Sequence, residues 1–263
     1  MEGIEINNLS FAYDATKEKL ILNNVNLHIK KGDFVCLLGQ SGCGKSTLLR
    51  LLAGLEIPSE GELLIDGLPV KGAGLDRSIV FQDYGLFPWL SAGNNILCAL
   101  KKKYPKENKK KLTEIVKKML REVGLPEDVF SKYPKELSGG MKQRCAIAQA
   151  FSIDPPIMLM DEPFGALDAV TRARLQDMVI DLWRREEERK TVVFVTHDVD
   201  EALLLANHIC VLGQAPSNII FECRINNKNR QTRETIFDDV EIMKLRSQLI
   251  KHINMDVASH INT

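Results

Sequence analysis

Apolar and polar residues alternate along the first thirty positions, through Ile4 and Ile6 and then Ile21, Val25, Leu27 and Ile29. A period of two predicts half-exposed antiparallel strands. Phe34-Val35-Cys36-Leu37-Leu38 is instead a continuous apolar run, the pattern of a buried strand. It leads into a glycine-rich loop, after which Thr47 to Ala53 reads as a helix. Two further short apolar runs, Ile157–Met160 and Val192–Val195, predict buried strands of the same kind. Buried strands separated by helical stretches predict an α/β fold, a parallel sheet with helices on both faces. From about Ser91 to Ala150 such runs are missing, and Leu112 to Val123 reads as an amphipathic helix. The expected organisation is an α/β core over 1–90 and 151–215 carrying the N-terminal antiparallel β subdomain. A helical subdomain is inserted at 91–150, and a tail follows at 216–263. In the tail a polar stretch, Asn226 to Arg230, precedes a final helix near Val240 to Ile253.

Composition narrows the function. Lys+Arg and Asp+Glu are both 35, so the net charge is zero, which removes the global electrostatic argument for nucleic acid as the main partner. No stretch reaches the roughly 18–20 apolar residues of a membrane span. The best candidate, Ala202 to Leu212, contains Asn207 and His208. The start, Met1-Glu2-Gly3-Ile4-Glu5, lacks the basic and apolar regions of a signal peptide, so a soluble cytosolic chain is expected. The six cysteines show no C-x-x-C pairing or metal-ligand spacing, which predicts reduced thiols and no zinc site. Lys101–Lys103, Lys106 and Lys109–Lys111 form a dense basic patch, either a solvated helix face or loop or a contact for anionic lipid or a partner.

Candidate chemistry starts at Gly39-Gln40-Ser41-Gly42-Cys43-Gly44-Lys45-Ser46-Thr47, which matches the phosphate loop G-x-x-x-x-G-K-[ST]. Its glycines let backbone amides wrap phosphates, Lys45 reaches the β- and γ-phosphates, and the Ser46 hydroxyl ligates magnesium. Cys43 lies inside this loop; if exposed, its alkylation blocks nucleotide binding. Asp161-Glu162 ends an apolar run, where ligands bind in parallel sheets. Asp161 suits magnesium, held through water, and Glu162 suits a general base on the attacking water. His197 ends the next apolar run and suits a γ-phosphate contact, while Gln82, after Ile79-Val80-Phe81, suits magnesium or the attacking water. Tyr13 either stacks on a base through its ring or packs in the core. A second anion site is expected at Leu137-Ser138-Gly139-Gly140-Met141-Lys142-Gln143-Arg144, where a Ser-Gly-Gly turn opens a helix and leaves its first amides unpaired.

Taken in order and spacing, Tyr13, the phosphate loop, Gln82, the Ser138-Gly139-Gly140 signature, Asp161-Glu162, Ala166-Leu167-Asp168 and His197 resemble the ATP-binding cassette (ABC) ATPases, over about residues 3 to 215. The resemblance implies a P-loop NTPase fold with ATP and Mg2+ as ligands, and Asp168 among the nucleotide-binding residues. It implies a head-to-tail homodimer in which each ATP lies between one copy's phosphate loop and the other's Ser138, Gly139 and Gly140. ATP would close the dimer, and hydrolysis would reopen it. It also implies separate transmembrane permease subunits, docked through Gln82 to Leu90, and an extracytoplasmic solute-binding protein as an indirect partner. The chain would then sit on the cytoplasmic side of the membrane. Phe87 and Trp89 lie in that docking stretch; core packing is their alternative.

Finer motifs are similar to the nitrate, sulfonate and taurine importer ATPases: Asp76 to Gln82, Leu86-Phe87-Pro88-Trp89, Asp161 to Asp168, and Glu241 to Arg246 in the tail. An importer subunit for another solute, such as a thiamine-precursor pyrimidine, stands beside this reading, as does a soluble ABC ATPase acting on nucleic acid or ribosomes. Two positions depart from the pattern: Gln149 stands where the subfamily commonly has arginine, and Asn207 where aspartate is usual.

Overall fold

In the computed structural model, which describes residues 3–14, 19–165, 167–184, 189–225 and 233–261, the alternating N-terminal stretch forms two antiparallel strands. They are β1 (Gly3–Ala12) and β2 (Leu20–Lys30). The inward residues of β2 are Leu22, Val25, Leu27 and Ile29, so Leu22 takes the place the alternation gives to Ile21. The reason is an irregularity in register beside Asn24, whose φ of 53° marks an extra residue that shifts the phase.

The chain divides into two compact units, 1–73 with 191–263, and 74–190. In the first, β1 also pairs with β4 (Glu60–Ile65), which pairs with β5 (Leu68–Pro69), giving the strand order β2-β1-β4-β5. The apolar run becomes β3 (Phe34–Leu38), buried at every residue and flanked by two parallel partners. These are β8 (Thr191–Thr196), also fully buried, and β9 (His208–Leu212). Among the described residues three α-helices complete the unit. Helix α1 (Lys45–Ala53) follows the phosphate loop, α6 (Val199–Leu205) packs on β3 and β8, and α7 (Val240–Ile261) packs on α6 and on β10 (Ile219–Arg224). Arg246 of α7 grips Asp200 of α6 with Nε 2.6 Å from Oδ1.

The second unit holds the parallel pair β6 (Arg77–Val80) and β7 (Ile157–Asp161). Around them are α2 (Ala92–Lys103), α3 (Lys109–Glu122), α4 (Gly139–Ser152) and α5 (Ala169–Arg184). The first three pack on one another through Ile96 and Leu100, Leu112, Val116 and Leu120, and Cys145 to Ala148. The expected helical stretch is thus helical, with two short 3-10 turns at Glu127–Ser131 and Pro134–Glu136.

Two elements differ from the sequence expectation. The terminal helix runs on to Ile261, and Ile219–Arg224 forms an edge strand antiparallel to β9 that no alternation announces, since its residues are all partly exposed. Asn226 to Arg230 lies outside the described residues. The apolar stretch Ala202 to Leu212 splits into the end of α6 and all of β9. Among the described residues no helix is long and apolar enough to cross a membrane.

Asp33, between β2 and β3, ties these strands together. Its carboxylate accepts hydrogen bonds from the Lys30 amide (3.1 Å), Asn207 Nδ2 (3.1 Å) and Arg224 Nη1 (2.8 Å). Asn207 Oδ1 in turn accepts from the Phe34 amide at 2.7 Å. An amide is needed at 207 because one side must donate to Asp33 while the other accepts. Asn207→Asp should therefore lose about 1–3 kcal/mol at neutral pH by setting two carboxylates face to face. The deficit should shrink in acid, where protonation restores a donor. Urea unfolding across pH measures it, and equal stability at pH 7 would contradict this account.

Candidate functional site

The phosphate loop begins where β3 ends. Lys45, the first residue of α1, is only 4% exposed, and its Nζ donates to the carbonyls of Gly39 (2.9 Å) and Gln40 (2.7 Å). Gly42 and Gly44 have φ of 81° and 93°, a left-handed conformation that side chains resist. A Cβ on Gly44 would also lie 2.9 Å from Leu22 Cδ2, a crowding that adds to the backbone strain of a substitution there. From late in the chain, the Ser217 hydroxyl donates its single proton to the Cys43 carbonyl, with the Ile21 carbonyl sharing it at 3.1 Å, and so pins the loop from behind. Successive amides around left-handed turns of this sort are a general way of making an anion-binding concavity. Gln40 and Ser41 are exposed, and Ser46 and Thr47 follow in the first turn of α1.

In the same unit, the pairing of Leu38 with Thr196 sets Gly39 and His197 at the same end of neighbouring strands. His197 is exposed there, and Asp198 caps α6 behind it by accepting from the amides of Asp200 and Glu201. Tyr13 is 55% exposed, its ring edge-on to Phe11 and its hydroxyl 3.2 Å from Thr47 Oγ1. It is not a core residue: the hydroxyl tether leaves the ring on the surface beside the start of α1.

Cys43 differs from the conditional expectation. The residue is 2% exposed, so the condition for alkylation is not met. Burial pushes its thiol up against the pull of neighbouring Lys45, which keeps the reactive thiolate scarce.

In the second unit, Val80 pairs with Met160, so β6 and β7 also deliver their polar residues to one end. Asp161 is 8% exposed, Glu162 is half-buried, and Gln82 is exposed two residues beyond β6. Glu162 has φ of 43°, an uncommon conformation for a residue with a side chain, and its carbonyl accepts from the Gly165 amide at 3.2 Å. Ser138 caps α4, its Oγ accepting from the Met141 amide at 3.3 Å, and Ser138 and Gly139 are exposed. A Cβ on Gly140 would lie 3.0 Å from Thr171 Cγ2, so the signature lies against the first turn of α5. Asp168 caps that turn by accepting from the amides of Val170 (3.1 Å) and Thr171 (3.0 Å), which holds its carboxyl below the ordinary value. Ala166 lies outside the described residues. Gln149 is half-buried and its Oε1 has no hydrogen-bond partner among the described residues. Nothing in the structure explains that substitution.

Sequence reasoning missed one residue that shapes the stretch after Gln82. Asn95, 1% exposed in α2, accepts from the Phe87 amide at 2.7 Å through Oδ1 and donates through Nδ2 to the carbonyls of Phe87, Leu90 and Ser91. The loop is thereby fixed with Phe87 and Trp89 stacked on each other, centroids 5.3 Å apart, and outward at 43% and 69% exposure. Core packing of these two rings is excluded. An asparagine eight residues after an exposed aromatic carries no sequence signal of its own.

The chain is similar to known proteins in sequence and fold. Residues 22–165 match the family described as ABC transporter. The nitrate import ATP-binding protein NrtD of Synechococcus elongatus is 43% identical over 230 residues, covering 87% of this chain and 83% of that protein. The aliphatic sulfonates import ATP-binding protein SsuB of Bacillus anthracis is 44% identical over 220 residues, 82% of this chain and 83% of its own length. Among solved structures, the ATP-binding cassette MJ0796, seen as a dimer in a post-hydrolysis state with ADP and phosphate, superposes with a TM-score of 0.75 at 32% identity. The match covers 85% of this chain and 99% of that one.

The thiols give a direct check on the loop. Under native conditions iodoacetamide should modify exposed Cys98 first and leave Cys43 intact until the protein unfolds. Peptide mass spectrometry reads the order, and equal labelling rates would refute the buried setting of Cys43.

Proposed function

The chain belongs to the ABC transporter family and is an ATP hydrolase, and from that premise we propose that it drives solute uptake through separate membrane permease subunits, on the cytoplasmic face of the membrane. The solute class we propose is nitrate, an aliphatic sulfonate or a similar small oxyanion, because the relatives at 43% and 44% identity are importers of these. One observation carries the coupling: the aromatic pair Phe87 and Trp89, held outward by Asn95, offers an apolar anchor of the kind that dominates protein interfaces.

The site residues take the following roles. The loop amides from Gly39 to Thr47 and the Lys45 ammonium hold the β- and γ-phosphates. Ser46, Gln82 and Asp161 supply a hydroxyl, an amide and a carboxylate, all oxygen donors of the kind a small hard cation takes, so they fit Mg2+. When bound, that ion neutralises charge on the phosphates. Glu162 accepts the proton of the attacking water, and His197 and Gln82 position the γ-phosphate and that water. Tyr13 stacks on the adenine ring. Ser138, Gly139 and Gly140 bind the γ-phosphate held by a second copy, so two copies enclose two nucleotides, and Asp168 contributes beside that signature. The cassette MJ0796 is dimeric in a post-hydrolysis state with ADP and phosphate bound, which supports a dimeric reading. An extracytoplasmic binding protein delivers the solute to the permease.

Glu162→Gln should keep ATP binding, lower turnover by about 10²–10⁴-fold, and accumulate dimers on gel filtration with ATP. A strictly monomeric variant would count against the shared site. Trp89→Ala should weaken co-purification with the membrane subunits while the isolated chain's ATP turnover stays at wild-type level. Unchanged assembly would put the docking surface elsewhere.

A further inference from the structure

Three donor side chains that the nucleotide chemistry does not use meet on one face of the β9–β10 pair. His208 and Cys210 are two apart on β9 and so share a face, and the antiparallel register sets Glu222 opposite Cys210. His208 Nε2 lies 3.3 Å from Cys210 Sγ and 2.8 Å from Glu222 Oε1, and the three donor atoms lie within 4.8 Å of one another. His208 and Cys210 have no exposed surface, whereas the Glu222 side chain is 44% exposed, so the group is reached from one side only. The remaining ring nitrogen, Nδ1, is buried without a hydrogen-bond partner among the described residues and faces the Asp33 carboxylate at 3.9 Å.

We propose that His208, Cys210 and Glu222 bind a divalent transition-metal ion, with zinc the best match to the donors. An imidazole nitrogen, a thiol sulfur and a carboxylate oxygen are the set that zinc takes, while magnesium and calcium prefer oxygen alone. A thiolate and a carboxylate together balance a 2+ charge, so the occupied group is neutral where a buried net charge would be costly. Asp33 lies 3.9 Å from Nδ1, beyond a hydrogen bond, and would close by about 1 Å to act as the outer partner of a ligating histidine; with the ring proton on Nδ1, Nε2 presents its lone pair to the cation. On binding, the Sγ–H bond breaks, a sulfur–metal bond forms, and the proton leaves to buffer. Water fills the remaining position through the open side beside Glu222. The ion would clamp edge strand β10 to β9 and stabilise the fold by mass action. Cysteine spacing could not reveal this group, because its donors are of three types and come from two strands.

The test uses untagged full-length protein, stripped with chelator and free of nucleotide. Titration with Co2+ should give a thiolate-to-cobalt charge-transfer band and tetrahedral ligand-field bands saturating at a single equivalent, and Zn2+ should abolish them. Cys98→Ser should keep the band and Cys210→Ser should lose it. Glu222→Gln, at a partly exposed position where folding is safe, should weaken Co2+ binding by at least about 10-fold and remove the rise in Tm that Zn2+ gives the wild type. Absence of a thiolate band in the wild type, or a Glu222→Gln variant binding as tightly as wild type, would overturn the proposal.

Discussion

Everything at the carboxyl end of β3 is arranged around one buried ammonium. A cation with 4% exposure is costly unless its protons are satisfied, and here two main-chain carbonyls, Gly39 and Gln40, satisfy it. To bring those carbonyls to Nζ the chain must curl over the lysine, and the left-handed turns at Gly42 and Gly44 make the curl possible. The partners are neutral, whereas a phosphate offers charge-assisted bonds roughly twice as strong. The lysine and the loop carbonyls thus hold one another in place, and the same ammonium is suited to a phosphate.

The same logic of strand ends recurs in each unit separately. Parallel pairing of β3 with β8 sets His197 level with the start of the phosphate loop, and pairing of β6 with β7 sets Asp161 at the same end as the chain leading to Gln82. Glu162 carries the one unusual backbone conformation among these residues, φ of 43°, directly after a fully buried strand. Such strain persists only where the surroundings over-determine it, and it clusters at functional positions.

Much of this was legible in the sequence because it is local. A buried strand is a short apolar run, a phosphate loop is nine consecutive residues, and a capped helix start is a Ser-Gly-Gly. What was hidden depends on distant contacts. Leu22 replaces Ile21 because of an irregularity at Asn24, and β10 is an edge strand with no burial pattern to betray it. Cys43 is buried although Gln40, Ser41 and Gly42 just before it are exposed. Asn95 spends its whole amide on the backbone between Phe87 and Ser91, and Ser217 meets Cys43 across 174 positions. The departure at Asn207 acquires its reason only when Asp33, 174 residues away, is seen beside it.

Ser217 also bears on the order in which a ribosome delivers the parts. The phosphate loop is among the first motifs made, yet β3 gains its neighbours only with residues 191–196 and 208–212, and the loop gains its rear support only at residue 217. Growing chains add residues at roughly 5–20 per second, so β3 and its loop wait on the order of ten seconds or more as an unpaired apolar strand. Competence to hold a nucleotide is therefore a late property of synthesis. A chain broken off before its last third carries the complete phosphate-binding sequence without the neighbours that give it shape.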